Sequence, residues 1–196
     1  MRSDASEPRS GWALLAAVLL CGCAASDAMV EVLTPLPELP AAGSAVVVFV
    51  RPSTYAEAVR FPILDHTGRF LGHSLPATWF EAHLPAGAYV FYAQGENTAA
   101  LRALLAPDRT YFVEVGPKLG WLSPRVQLLP IAPRFPSWAQ REEWIAESVA
   151  HRLEHPEASD LEPSDVGEIL ERGRATLEGY DGVELDRRTL RAGDGL

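Results

Sequence analysis

Reactive thiols occur only near the beginning of this 196-residue chain. Its two cysteines, Cys21 and Cys23, stand at the end of an apolar run, and no cysteine follows them. A cysteine thiolate is a strong nucleophile, so this pair is where the sequence places covalent chemistry. The rest of the chain can form no disulfide, and its fold must depend on a hydrophobic core alone.

Metal-ligating residue types gather in one later stretch. His66, His73, His83, Asp65 and Glu81 fall within nineteen residues, a composition that suits a metal or acid-base site. Glu81 and His83 share one face of a predicted strand, but nothing in the sequence fixes the register that would bring the other histidines beside them. We therefore interpret these side chains as solvated, and we expect no metal site and no cofactor.

Two further patterns lack the partners that catalysis needs. His151 and His155 have the spacing of a metal pair on a helix, but Pro156 interrupts that helix and no third ligand follows. The serines lack the Gly-x-Ser-x-Gly nucleophile elbow. We expect no catalytic residues and a non-enzymatic binding or structural protein. The alternative is a hydrolase or metal-dependent enzyme that acts on cell-wall or surface polymer.

Aromatic residues supply the candidates for contact with a partner. Trp121 follows a glycine, and together with Trp79 and Tyr92 it could form an exposed patch for an envelope protein or a glycan. Packing inside the fold is the other interpretation of these side chains. Trp79 and Trp121 are therefore the candidate contact residues, with core packing left open.

The apolar run before the cysteines is short. Trp12 to Cys21 gives ten uninterrupted apolar positions after an amino-terminal segment that carries Arg2 and Arg9. A membrane-spanning helix needs roughly 20 apolar residues, whereas the core of a signal peptide needs roughly 7 to 15. The run predicts a targeting segment rather than a transmembrane helix.

The end of this run, Leu20-Cys21-Gly22-Cys23, resembles the lipobox of bacterial lipoproteins. The resemblance implies that Cys23 carries a diacylglyceryl group and that a signal peptidase cuts between Gly22 and Cys23. It also implies a partner, the membrane, reached through palmitate-type acyl chains on Cys23. The alternative is an ordinary secretory signal cleaved near Ala24 or Ala25.

A lipid on Cys23 implies a location in the cell envelope, facing the periplasm or the exterior. Ala24 and Ala25 follow the cysteine, and no aspartate stands directly after it. In a cell with two membranes, this resembles the pattern of lipoproteins that are sent to the outer membrane.

The charge distribution argues against a polyanionic partner. The formal net charge is −9, and residues 137–196 hold 15 acidic against 7 basic side chains. Nucleic acid binding depends on a basic patch, and the sequence shows none, so we expect no nucleic acid partner. The mean hydropathy of 0.00 excludes a protein with many membrane spans. The oligomeric state is left open.

Changes in composition predict four segments. They are a signal peptide over residues 1–22, a proline-rich spacer over 23–43, a β-sandwich domain over 44–136 and an acidic helical extension over 137–196. The spacer contains Pro35, Pro37 and Pro40, and at ~3.1 Å per residue it could extend for about 60 Å.

Residues 44–133 alternate short apolar runs with turn signals, which predicts a small antiparallel β-sandwich of about seven or eight strands. The predicted strands are Ala45–Arg51, Val59–Asp65, Arg69–Ser74, Thr78–Leu84, Ala88–Gln94, Arg109–Gly116 and Pro124–Ile131. Period-two alternation predicts that Phe80, Ala82 and Leu84 face the core, with Trp79 on the opposite face. Thr98 to Ala106 is left open as strand or helix.

Several of these strands and turns resemble a family of small bacterial lipoprotein domains, domain of unknown function 2846. The matching pieces are VVVFVRP up to Pro52, PILDHTGRFLGHS, the turn LPAGAY at Leu84 to Tyr89, and LAPDRTYFVEV. Asp108-Arg109 replaces the glycine that the family usually has before Thr110, and Thr67 is inserted before Gly68. The resemblance covers about residues 44–133 and implies an all-β envelope protein without catalytic residues.

Helical spacing appears in the acidic extension. Ser137 is a candidate N-cap for one helix that continues to about Leu153, and a second helix is predicted from about Ser164 to Leu177, before Gly179. We expect both helices to pack by one apolar stripe against the β domain. Order or disorder beyond Gly182 is left open.

Overall fold

The computed structural model describes residues 25–33 and 36–196. Gly22 and Cys23, the predicted cleavage and lipidation residues, lie outside the described part of the chain, as does Ala24. Across residues 25–33 and 36–196, no helix combines the length and the apolar character needed to cross a membrane.

The described chain is mainly β-structure, as the sequence predicts. Its strands are β1 (Met29–Glu31), β2 (Ser44–Arg51), β3 (Phe61–Asp65), β4 (Phe70–Ser74), β5 (Thr78–Pro85), β6 (Gly87–Gln94), β7 (Thr98–Leu105), β8 (Arg109–Lys118), β9 (Arg125–Ile131), β10 (Val149–Leu153) and β11 (Thr189–Leu190). Its α-helices are α1 (Arg141–Glu147), α2 (Pro163–Glu178) and α3 (Gly182–Arg187), and short 3-10 turns cover Pro136–Gln140, Pro156–Ala158 and Ala192–Asp194.

Two sheets pack face to face around one core. The first sheet has the strand order β1, β10, β5, β2, β8, β9, and the second has the order β11, β7, β6, β3, β4. Phe49 of β2 meets Phe91 of β6 between the sheets, edge to face, with ring centroids 5.3 Å apart. Both rings are fully buried, as expected where alternate side chains of two sheets point inward.

The strands between residues 44 and 131 follow the predicted pattern closely. All seven predicted strands are present, with ends within two residues of the prediction. Phe80, Ala82 and Leu84 point into the core, which confirms the predicted face of β5. Thr98 to Ala106, left open as strand or helix, contains β7.

The sheets are mixed, so the prediction of a purely antiparallel sandwich is wrong. Three neighbouring pairs are parallel: β2 with β8, β5 with β10, and β7 with β11. Alternation along one strand is the same in both kinds of sheet, and the pairing depends on which strands become neighbours. Between β2 and β8 the chain passes through strands of both sheets before it returns parallel to β2.

The predicted helix from Ser137 to Leu153 is also wrong. Helix α1 ends at Glu147, Ser148 is extended with φ −101° and ψ 148°, and β10 follows. Val149 and Leu153 have helical spacing, but the backbone of β10 pairs with β5 on one side and β1 on the other. This pairing between distant segments overrides the local preference for helix.

The second predicted helix is confirmed as α2. Its capping box uses Glu162 as N-cap and Asp165 as the returning side chain, and Gly179 caps the carboxyl end. Ile169 and Gly173 are the buried residues of the helix, and they face the second sheet with Tyr92 beneath them. The described residues beyond Gly182 are ordered as α3, β11 and a final turn.

The predicted spacer is partly integrated into the fold. Its residues 29–31 form β1, which pairs with β10 at the edge of the first sheet. Ala28 is fully buried, and the hydroxyl of Ser26 lies 2.7 Å from Nδ1 of the buried His73. Contacts with the β domain therefore start at about Ser26, within the predicted spacer.

Candidate functional site

The two candidate contact tryptophans have opposite environments. Trp79 is only 2% exposed, whereas Trp121 is 90% exposed. Trp79 packs on the outer face of the first sheet with Ile145 of α1 and Ala150 of β10. Trp79 is therefore a packing residue and not a contact surface, and Tyr92, which is also 2% exposed, is buried in the same way under α2.

Trp121 belongs to an exposed apolar loop between β8 and β9, which we call the tip (residues 119–122). Leu119, Trp121 and Leu122 are 84%, 90% and 89% exposed. Three large apolar side chains so fully exposed next to one another mark an interaction site in a natural protein.

A carboxylate on the neighbouring turn holds the tip in place. Oε2 of Glu96 accepts backbone N–H bonds from Trp121, Leu122 and Ser123 at 2.9, 2.5 and 2.9 Å. These backbone donors hold the pKa of Glu96 down at about 2, with a smaller contribution from the charge of Arg125. The loop can therefore present its apolar side chains in one conformation.

Close contact within the tip explains its glycine. A Cβ added to Gly120 would lie 1.8 Å from the carbonyl oxygen of Ser123, so any larger residue would force the loop apart. The sequence pointed to Trp121 as a candidate, but it gave no sign of Glu96, an acidic residue in an ordinary turn. Only the fold brings Glu96 to the tip.

Basic side chains lie directly behind the tip. Lys118 and Arg125 are partners across the β8–β9 pair, at the last paired position before the loop. Together with Arg188 they line a cavity of about 290 Å³ that also reaches Leu119. The residues that line this cavity include three cations and no carboxylate.

A separate apolar concavity, which we call the spacer groove, lies on the outer side of the first sheet. It has a volume of about 580 Å³ and lies between residues 36–40 and α1. Phe112 and Ile145 contribute to its apolar lining, and Leu39, 87% exposed, stands at its edge. Carboxylates outnumber cations around it: Glu38, Asp108 and Glu142 against Arg141.

Of the metal-ligating residue types that the sequence gathers between Asp65 and His83, only Glu81 and His83 come together. Glu81 and His83 are close, with 3.2 Å between Oε1 and Nε2, and the spacer adds Glu38, so that one ligand atom from each lies within 4.8 Å of the others. Within this cluster the backbone N–H of Glu38 donates to Glu81, and Glu38 also pairs with Arg152 at 3.3 Å. The sequence had assigned Glu38 to a spacer and so could not place it here.

No protein-family model matches the chain, and no curated protein or solved structure matches it. The resemblances to bacterial lipoproteins and to domain of unknown function 2846 therefore stay predictions. Function has to be argued from the surfaces of the molecule itself.

The other histidines are dispersed. His66 packs edge to face on Tyr89, while His151 and His155 lie on and after a strand rather than on one helix. His73 is 2% exposed, and burial together with the charge of Arg60 lowers its pKa to about 4. His73 is therefore neutral near pH 7, and its bond with Ser26 fixes the start of the domain.

A buried arginine was not among the sequence-based candidates. Arg51 is 0% exposed, and its guanidinium donates to the backbone carbonyls of Tyr55, Ala56, Val59 and Ser74. Burial lowers its pKa to about 10. These bonds secure the loop after β2, so Arg51 has a structural role.

Proposed function

We propose that this chain is a lipid-tethered protein of the bacterial cell envelope that binds a partner and catalyses no reaction. The tether is lipid on Cys23, in the Leu20-Cys21-Gly22-Cys23 sequence. Two or three acyl chains, at ~0.8 kcal/mol per buried methylene, make such attachment effectively permanent.

The start of the domain limits how far the protein can stand from its membrane. Three residue steps separate Cys23 from Ser26, which is bonded to His73. A fully extended chain covers about 3.3–3.6 Å per residue, so the attachment point lies within about 10 Å of the lipid-bearing residue. A tethered domain of this kind works at the bilayer surface rather than about 60 Å away from it.

Metabolic labelling tests the tether. Radiolabelled palmitate should mark the wild-type chain and the Cys21→Ser variant, but not Cys23→Ser. The Cys23→Ser variant should also leave the membrane fraction. An unlabelled wild-type chain, or a Cys23→Ser chain that stays equally membrane-bound, would show that the tether is wrong.

The observation that carries the binding role is the spacer groove, an apolar concavity of about 580 Å³. Binding sites are typically concave and mainly apolar, with a few polar groups at the edge. Glu38, Asp108 and Glu142 stand at its border, so it suits an apolar segment of an envelope protein that carries basic residues at its ends.

Site-specific crosslinking tests this role in cells. A photoreactive amino acid at Leu39 should crosslink to one envelope protein, whereas the same group at Val183, 66% exposed and not part of the groove lining, should not. Ala146→Arg, on the exposed side of α1, should fill the groove and abolish the crosslink. Identical crosslinks from positions 183 and 39 would argue against a groove-bound partner.

A metal-dependent hydrolase is the second candidate, because Glu38, Glu81 and His83 can each offer a ligand atom within 4.8 Å of the others. It is the weaker one, since Glu38 and His83 are exposed and a metal ion would have to compete with Arg152 for Glu38. Zn²⁺ titration of the purified chain separates the two. Stoichiometric binding that His83→Ala abolishes and His66→Ala preserves would favour the metal enzyme, and its absence would leave the binding module.

A further inference from the structure

We propose that the tip docks on an anionic phospholipid bilayer, with its three apolar side chains among the lipids and a headgroup phosphate at the basic cavity behind them. This contact goes beyond the proposed function, because it requires neither a protein partner nor lipid on Cys23. It assigns a role to Leu119, Trp121 and Leu122 and to the cations Lys118 and Arg125.

The shape of the tip favours a bilayer over a protein surface. Its apolar side chains project from a hairpin end and are 84–90% exposed, so they form a convex point rather than a face. A stable protein interface buries about 800 Å² on each partner, more than one short loop can supply. A lipid bilayer accepts a small convex insertion, and tryptophan is enriched at its interface with water.

The tip is organised before it meets its ligand. Glu96 binds three successive backbone N–H groups, so little conformational freedom remains to be lost when Trp121 and Leu122 are buried. The negative charge of Glu96 is directed at these donors, inside the loop. It therefore opposes an anionic surface less than a free carboxylate would.

The cations are placed where lipid phosphates would lie. Lys118 and Arg125 face each other at the base of the tip and line a cavity of about 290 Å³. Arg188 lines the same cavity but is paired with Glu184 at 2.7 Å, so Lys118 and Arg125 are the cations left for a phosphate. The cavity shares Leu119 with the tip, so polar and apolar parts are adjacent, as headgroups and acyl chains are in a bilayer. Each basic residue near an anionic membrane strengthens binding about fivefold.

The orientation of the tip agrees with the proposed tether. Arg60, immediately before β3, bonds to the carbonyl of Ala25, and Ile63 of β3 pairs with Ala93 near the end of β6. The turn after β6 carries Glu96, which holds the tip. The start of the domain and the tip therefore lie at the same end of the second sheet, and one bilayer can meet both.

Depth of the tip in a membrane is the direct test. The mature chain, purified with any lipid that it carries, is reconstituted into vesicles of phosphatidylethanolamine and phosphatidylglycerol. An environment-sensitive fluorophore is attached at Ser123→Cys, which leaves the three apolar side chains in place. The control position is Ala86→Cys, an exposed residue in the turn at the opposite end of the sandwich.

We expect the label at position 123 to shift to the blue, to be quenched by lipid-borne quenchers and to be shielded from iodide, unlike the label at position 86. This readout reports depth of the loop rather than attachment of the chain. If Cys23 carries no lipid, the labelled chains also carry Cys21→Ser and Cys23→Ser, so that position 123 or 86 holds the one reactive thiol. Equal iodide access at the two positions would overturn the proposal. Shielding in native membranes but not in lipid vesicles would also overturn it, in favour of a protein partner.

Matched variants separate the apolar and the ionic parts. Trp121→Ser and Leu122→Ser should each lower the ratio of docked to undocked label about tenfold or more, and Leu104→Ser, an exposed leucine at the far end, should leave it unchanged. Lys118→Gln and Arg125→Gln should each lower it about fivefold, and vesicles of phosphatidylcholine alone should remove this difference. If neither pair of variants changes the ratio of docked to undocked label, the assignment of the tip is contradicted.

Discussion

The outer face of the first sheet and the tip each carry a tryptophan next to other apolar residues, but only the first is covered by another layer. Trp79 packs beneath α1, beside Ala150 of the neighbouring strand β10, whereas no described segment covers Trp121, which is 90% exposed. On the sheet, covering segments turn an apolar face into a second core. At the tip, a carboxylate holds the backbone and leaves the apolar side chains for something outside the protein.

The tip and the spacer groove, the two uncovered apolar surfaces, also differ in the charge beside them. The tip has Lys118 and Arg125 at its base, while the spacer groove has Glu38, Asp108 and Glu142 at its border. Two apolar surfaces of one molecule therefore suit ligands of opposite charge. We infer that exposure alone does not define a partner, and that shape and neighbouring charge must be considered together.

Replacing each tryptophan by alanine should produce the largest contrast. Trp79→Ala leaves a cavity beneath α1 and should lower the free energy of unfolding by about 3–5 kcal/mol. Trp121→Ala should change it by less than about 0.5 kcal/mol, because the side chain is exposed. Chemical denaturation of both variants measures this, and similar losses in stability would mean that the two regions do not differ as described.

Acid should affect the covered part of the molecule before it affects the tip. His73 has a folded pKa of about 4, below its ordinary value of 6.5, so the unfolded chain binds more protons between these values. Stability should therefore fall as the pH drops from about 6.5 to 4, by at most about 3 kcal/mol. The free energy of unfolding should rise again as the pH is raised from about 4, with no further increase above about pH 7.

Denaturation at pH 7 and pH 4.5 measures this loss, and His73→Gln should reduce it. His66→Gln, at an exposed turn residue, is the control and should keep the wild-type dependence. If NMR shows that the imidazole of His73 titrates near 6.5 in the folded protein, its protonation is not the cause of the lost stability.

Helix α2 covers the second sheet, and its glycines test how closely it packs there, with smaller expected effects on stability. A Cβ on Gly173 would lie 2.3 Å from the ring of Tyr92, whereas one on Gly167 would have no atom within 4 Å. Gly173→Ala should therefore cost about 1–3 kcal/mol. Gly167→Ala, in the same helix, should stabilise the protein by about 0.5–1 kcal/mol. Thermal unfolding measures both, and equal effects would show that α2 is not packed closely on the sheet.

These contrasts also show what sequence reasoning could supply. Alternation along β5 was enough to place Phe80 in the core and Trp79 on the opposite face. It could not show that α1 covers that opposite face or that β10 extends the sheet beside β5, because both depend on contacts between distant segments. For the same reason, Val149 and Leu153 resembled a helix although their backbone completes a sheet.

At the candidate surfaces, the sequence offered Trp121 and Trp79 together and could not tell which one is exposed. Trp121 was a candidate because an aromatic residue beside glycine is typical of a loop, and the structure shows that it is the exposed one. Glu96 could not, since its role depends on a turn 25 residues away in the chain. Glu38 was hidden in the same way, because a proline-rich segment gives no indication that it folds back onto a sheet.

The smallest expected effect on global stability concerns Glu96, yet it bears most directly on the tip. Glu96→Gln keeps the shape of the side chain and removes the charge that binds three backbone N–H groups. We expect faster hydrogen exchange at the amides of residues 121–123, with only a small loss in the free energy of unfolding because the carboxylate is exposed to solvent. Glu57→Gln, in another exposed loop, should alter neither quantity.

The pH dependence of the tip follows from the same carboxylate. The folded pKa of Glu96 is about 2, below its ordinary value of 4.5. The contribution of the charged carboxylate to the stability of the tip is therefore complete above about pH 4.5 and is lost as the pH falls through about 2. At pH 4 the tip should stay protected from exchange while His73 becomes protonated. If residues 121–123 exchange equally fast in wild type and Glu96→Gln, the tip is not preorganised. Its docking on a bilayer would then have to include the cost of ordering the loop.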